Sequence, residues 1–205
     1  MGNIFLLFGR WRSISLVKLA MSALILFVTA CAAPINALKP GEPCPVTTPS
    51  EMATFLGDGY SPAGKCPIWL NVPGNSHNLW QQLGTATFTI PPYEGRTLKQ
   101  LWVIADNIKG IVRITGKQLD GNGIVLFPND NSAELVNDTT VKYKEKPLDT
   151  LLIDTSDQDH RIISPKPIGY TFFGSSLIYP HPGCFKFTAS IDKNMVEIVV
   201  EILDK

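Results

Sequence analysis

The chain has 205 residues, with eighteen basic and eighteen acidic side chains and a formal net charge of zero. That balance, with no basic stripe, argues against a nucleic-acid-binding protein. Only 18% of residues are charged and sixteen are proline, which suits a turn-rich β domain better than a helical one.

The N-terminus carries an address. Arg10, Arg12 and Lys18 precede an uncharged run from Leu19 to Ala30, and Cys31 follows directly. A basic leader, a short apolar stretch and small residues at its end make a secretory signal. Val28-Thr29-Ala30-Cys31 resembles the lipobox of bacterial lipoproteins, which implies cleavage of residues 1–30 and diacylglyceryl attachment at Cys31. The partner so implied is the membrane itself, held through acyl chains at about 0.8 kcal/mol per buried methylene. Two other readings compete. Leu19 to Leu38 is long enough for an uncleaved span, although Pro34 and Asn36 interrupt it. Ordinary cleavage near Ala30 would instead release a soluble protein with a free thiol. All three place the folded part outside the cytoplasm.

Without residues 1–30 the chain keeps fifteen basic and eighteen acidic groups, a net charge of −3, and enough length for one domain with a real core. Half of the prolines fall between Pro34 and Pro73. Residues 31–64 therefore read as a Pro-rich tether and residues 65–205 as the domain. Cys44, Cys66 and Cys184 remain, so an oxidising compartment permits one disulfide and leaves one thiol. Spacing alone does not choose the pair.

From Lys65 onward, short apolar runs alternate with turn residues. Ala86, Phe88 and Ile90 share one face of Thr85 to Ile90. Leu98 to Ala105 and Ile111 to Thr115 follow as β-rich runs. Asp120-Gly121-Asn122-Gly123 is a turn signal before Ile124 to Phe127. Val141 to Tyr143 and Leu151 to Ile153 are shorter strand candidates. Tyr170 to Tyr179 turns at Pro180-His181-Pro182-Gly183 into Phe185, Phe187, Ala189 and Ile191, which alternate with polar residues. Val196, Ile198, Val200 and Ile202 line one face of the last strand. Period-two alternation with one polar face predicts an all-β, Ig-like antiparallel sandwich. Glu51 to Leu56 has room for one helical turn.

Four pieces in order resemble a family of uncharacterised bacterial lipoproteins: Cys44-Pro45-Val46-Thr47-Thr48-Pro49, then Gly74-Asn75 with Leu79-Trp80, then Ile111 to Asp120, then Ser175 to Phe185 with its Pro180-His181-Pro182-Gly183-Cys184 core. Phe185 stands where that family usually has Trp. The segment from Thr139 to His160 is longer than usual, and Cys66 falls outside the pattern. The resemblance implies a Cys44–Cys184 disulfide and transfers no activity. Strand parity agrees in part, because Cys184 shares a face with Lys186, Thr188 and Ser190. An outward cysteine there could staple an N-terminal segment across the sheet.

Catalytic chemistry is sparse. His77, His160 and His181 form no zinc-binding pattern, and His181 between two prolines reads as a solvated turn residue. Phe173-Gly174-Ser175-Ser176 lacks the flanking glycines of a nucleophile elbow. Asp154, Asp157 and Asp159 are candidate calcium ligands without EF-hand spacing, and the plainer reading is a solvated loop. Trp69, Trp80 and Trp102 with Tyr93 and Tyr170 either form a sugar- or peptide-binding surface or, in the reading favoured for a sandwich, pack inside it. Asn137-Asp138-Thr139 reads as an ordinary loop. The expectation is a lipid-anchored, non-catalytic binding or interaction module for a protein or glycan partner, needing no cofactor. The alternatives are a structural envelope lipoprotein and a hydrolase with a loop-built site. An unpaired sheet edge would favour the first, and a pocket joining a histidine, a carboxylate and a serine would favour the last.

Overall fold

The alternation seen in the sequence resolves into two sheets with their apolar faces together. A computed structural model describes residues 37–49, 62–65, 67–71, 77–91, 93–156 and 169–204. Among these, the strands are β1 (Pro62–Lys65), β2 (Ile68–Asn71), β3 (His77–Leu79), β4 (Gly84–Phe88), β5 (Glu94–Ala105), β6 (Ile111–Gln118), β7 (Ile124–Val125), β8 (Ala133–Asn137), β9 (Thr140–Tyr143), β10 (Thr150–Asp154), β11 (Tyr170–Tyr179), β12 (Gly183–Ile191) and β13 (Asn194–Leu203).

The first sheet runs β1-β2-β5-β4-β9-β8, with β11 also paired to β5. β11 takes Arg96 to Ala105 along one edge of β5, while β2 and β4 share the other edge end to end. The second sheet runs β10-β6-β12-β13-β3, with β7 beside the last part of β6. Most pairs are antiparallel; β4–β9 and β13–β3 are parallel. After β7 the chain crosses between the sheets. Leu126 exchanges two main-chain hydrogen bonds with Ile178 of β11, at 3.0 and 2.9 Å, and Phe127 does the same with Leu148, at 2.7 and 2.9 Å.

Inner faces supply the core. Trp102, Ile104, Phe173, Leu177 and Tyr179 from the first sheet meet Ile114, Phe185, Phe187, Ile198 and Ile202 from the second. Trp102 meets Phe187 edge-on at 5.8 Å, and Tyr179 meets Phe185 at 5.0 Å. Such a side chain contributes about 1.5–3 kcal/mol by leaving water, so this layer carries most of the stability. Two buried groups lie on outer faces. Trp69, Val103 and Phe172 form one patch on the first sheet. Ala86 with Tyr143 and Ile178 form another, so the alternation at Thr85 to Ile90 marks this outer cluster rather than the main core.

Residues 37–49 depart from the tether expected over 31–64. They cross the outer face of the second sheet, pinned by a Cys44–Cys184 disulfide. The Leu38 amide donates to the Leu119 carbonyl at 2.8 Å, and the Thr47 amide donates to the Val199 carbonyl at 2.9 Å. The physical cause is the apolar pair Leu119 and Val199 on an otherwise polar face, which Leu38 and the disulfide cover. Proline suits this path because an extended segment bound at few points needs few amide donors. The ordered unit therefore begins before residue 65, and Pro49 already bridges to Ala63. The Glu51 to Leu56 turn, Cys31 and Cys66 lie outside the described residues.

Candidate functional site

Where the two sheets end on the same side, their edge strands part and leave a cleft. β10 closes the second sheet and β11 the first, and the Leu126–Phe127 crossover seals one end between them. The cleft holds about 470 Å³, within the few hundred to a thousand cubic ångströms typical of binding sites. Its floor is apolar, with Phe127, Leu151, Ile153 and Phe173 drawn from the core layer. Ser175 adds one hydroxyl, which accepts the Trp102 indole N–H at 2.9 Å. Among the described residues the rim carries Asp130, Glu145, Asp154 and Lys146. Leu148 and Leu152 stand at the mouth, 61% and 51% exposed, so apolar surface continues outward.

Local turn chemistry sets this rim. The Asn129 side chain accepts from the Asn131 amide at 3.0 Å and donates to Glu145 at 2.9 Å, tying two loops together. Lys146 reaches over the Tyr93 ring at 5.7 Å. Asp154 Oδ1 accepts from the Ser156 amide and hydroxyl at 2.8 and 2.6 Å, the pattern of a self-capping turn. Asp157 and Asp159 lie outside the described residues, as does His160. Among the described residues no three His, Cys, Asp or Glu side chains gather as metal ligands.

The remaining sequence candidates do not share one site. Trp102 is wholly buried in the core. Trp69 meets Tyr170 edge-on at 5.6 Å on the outer face of the first sheet. Trp80 lies half-buried under the Arg96 guanidinium, 5.9 Å away. Tyr93 packs against Phe88. The aromatic residues thus serve three separate packing regions and build no common platform. Asn137 accepts from the Thr139 amide and hydroxyl at the β8–β9 turn.

The motifs at Ile111–Asp120 and Ser175–Phe185 instead meet at one end of the sandwich. The Gln118 carboxamide accepts from the Gly123 amide at 3.0 Å. A Cβ at Gly121, Gly123 or Gly183 would sit 2.5–2.6 Å from that carboxamide. Asp120 accepts from the Cys184 amide at 3.1 Å, and the Leu119 amide donates to the Cys184 carbonyl at 2.7 Å. His181 lies exposed on this lock, its Nδ1 3.0 Å from the Pro182 carbonyl. These residues hold two turns and the disulfide in register. What sequence reasoning missed is the cleft, since its walls are ordinary strand residues.

No family model, curated protein or solved structure matches the chain.

Proposed function

We propose that this protein is a lipid-anchored, extracytoplasmic binding module whose ligand occupies the cleft between β10 and β11. The carrying observation is the cleft itself: an apolar floor, a mixed polar rim and two strand edges at its mouth. The leader and Val28-Thr29-Ala30-Cys31 support lipidation at Cys31 and a bacterial envelope setting. The Cys44–Cys184 disulfide supports an oxidising compartment. The pairing of β5 with β11, facing β10-β6-β12-β13, supports an Ig-like arrangement.

The anchor would be short. Ala37 comes six residues after Cys31, and an extended chain covers about 3.5 Å per residue. Lipid on Cys31 would hold the Leu119 end of the sandwich within about 20 Å of the bilayer surface. Two experiments test the reading. Cys31→Ala should move the protein from the detergent phase to the aqueous phase and remove the acyl mass. A photo-crosslinking residue at Leu152 should capture a partner in intact cells that the same residue at Met195, on the far strand, does not. Equal adducts at both positions would remove the cleft from consideration.

A further inference from the structure

We infer that the outer face of the second sheet is a membrane-contact surface, which lies on the anionic bilayer that holds the Cys31 lipid; this rests on the lipid-anchor reading above. Val112 and Ile114 of β6, Phe187 and Ala189 of β12, and Val196 and Ile198 of β13 belong to the core. Strand alternation therefore turns Ile111, Arg113 and Lys117 of β6, Ser190 of β12 and Met195 of β13 outward. The register sets them side by side. Arg113 stands between Leu152 of β10 and Ser190, and Met195 follows beside Ser190. Further along β6, Lys117 stands between Ile124 and Lys186.

Ile111, Ile124 and Met195 are 50%, 46% and 59% exposed, and Arg113 and Lys117 are exposed beside them. Aliphatic tips interleaved with cations suit the bilayer interface, where the tips enter the headgroup layer and the cations meet lipid phosphates. Acidic neighbours on this face have partners: Lys186 donates to Glu197 at 2.9 Å, and Ser156 donates to Asp154. What covers the face follows from where the chain enters it. Residues 37–49 cross its Leu119 end and are pinned to Cys184. Cys31 comes six residues before Ala37, so its lipid stays within about 20 Å of this same face. A second copy is the poorer occupant, because a two-fold pairing would bring the Arg113 and Lys117 cations of both copies together.

The test uses the lipidated, disulfide-intact protein purified from membranes and reconstituted into phosphatidylcholine–phosphatidylglycerol vesicles. A photo-crosslinking residue replaces Ile111, Ile124 or Met195 in turn, or Leu135 on β8 of the first sheet, which is 69% exposed. Phospholipid adducts should be at least tenfold more abundant at the first three positions than at Leu135. Leu135 is the most exposed of the four, so unspecific apolar adsorption predicts the reverse order. Each basic residue at an anionic surface is worth about fivefold in binding. Arg113→Glu with Lys117→Glu should therefore cut the Met195 adduct at least tenfold with Tm unchanged, and pure phosphatidylcholine should do the same. Should the double variant melt lower, glutamine at both positions replaces glutamate. Equal adducts at Leu135, a Met195 adduct indifferent to charge and lipid composition, or crosslinking of Met195 to a second copy would overturn the proposal. If the purified chain carries no acyl mass, the anchor reading fails by itself, and flotation of that chain with the same vesicles decides the surface. Flotation abolished by the two glutamates supports it, and no flotation overturns it.

Discussion

Replacing Cys44 and Cys184 together with alanine measures how the N-terminal segment is held. The disulfide joins residues 140 apart in sequence. The chain-entropy relation assigns about 5 kcal/mol at 25 °C to closing a loop of that length. For a domain of this size each kcal/mol moves Tm by about 2–4 °C, so the double variant should melt about 10–20 °C lower. Alanine suits both positions because Cys184 is 2% exposed and a smaller apolar group leaves no buried polar atom. The Leu38 and Thr47 main-chain bonds remain, each worth about 1 kcal/mol. They do not offset the cost of ordering thirteen residues, at about 1–2 kcal/mol apiece. The segment should therefore detach, exposing Leu119 and Val199 before the sheets separate. Thermal melts by circular dichroism, with and without a phosphine reductant, provide the assay. Reduced parent and double variant should coincide. A shift below about 3 °C, or a parent indifferent to reductant, would refute the loop-closure argument.

Three further substitutions probe the interior and the turn lock. The Tyr179 hydroxyl is fully buried with no hydrogen-bond partner among the described residues, and burial pushes its ionisation well above the ordinary tyrosine range. Tyr179→Phe should thus be neutral or stabilising by up to about 1 kcal/mol in urea melts, and a loss above that would reveal a bond to this oxygen. The pH dependence follows the same cause. The unfolded side chain ionises near pH 10 while the folded one stays protonated, so stability is complete below pH 10. It then falls by up to about 1.4 kcal/mol per pH unit above it, and Tyr179→Phe should flatten that slope. Gly183 has φ +149°, and an added Cβ would meet Gln118 at 2.5 Å and Asp120 at 2.9 Å. Gly183→Ala should cost about 1–3 kcal/mol by chemical denaturation, and an unchanged midpoint would show that the lock yields freely. Trp102→Phe removes the indole N–H that Ser175 accepts and leaves a void, a loss of about 2–4 kcal/mol readable in the same melts.

The strands legible in the sequence were those with a two-residue apolar period or a long β-rich run bounded by turn residues. Tyr170 to Tyr179 is β11 residue for residue, and the Phe185 and Val196 stripes are the inner faces of β12 and β13. Four strands carried no such signal. β1 and β2 sit among prolines, β3 is three residues paired in parallel to the C-terminal strand, and every residue of β8 is exposed. For such short segments the ladder partner decides the conformation, and the partner is distant in sequence. The aromatic residues illustrate the same limit. Composition showed that they exist, and only the packing assigned Trp80 and Trp102 to the main core and Trp69 to the outer face of the first sheet.

By itself the sequence determined the all-β class, the inward stripes and the turn at Pro180 to Gly183. Each of these depends on residues near one another along the chain. The disulfide partner of Cys44 was implied by resemblance and then set by a fold that brings Cys184 beneath residues 37–49. The cleft was decided by tertiary structure alone. It exists because β10 and β11 end different sheets on the same side, with the Leu126–Ile178 bridge at one end. A cleft is a property of what stands beside a strand, and neighbours across a sheet leave no periodic mark on the residues that face them.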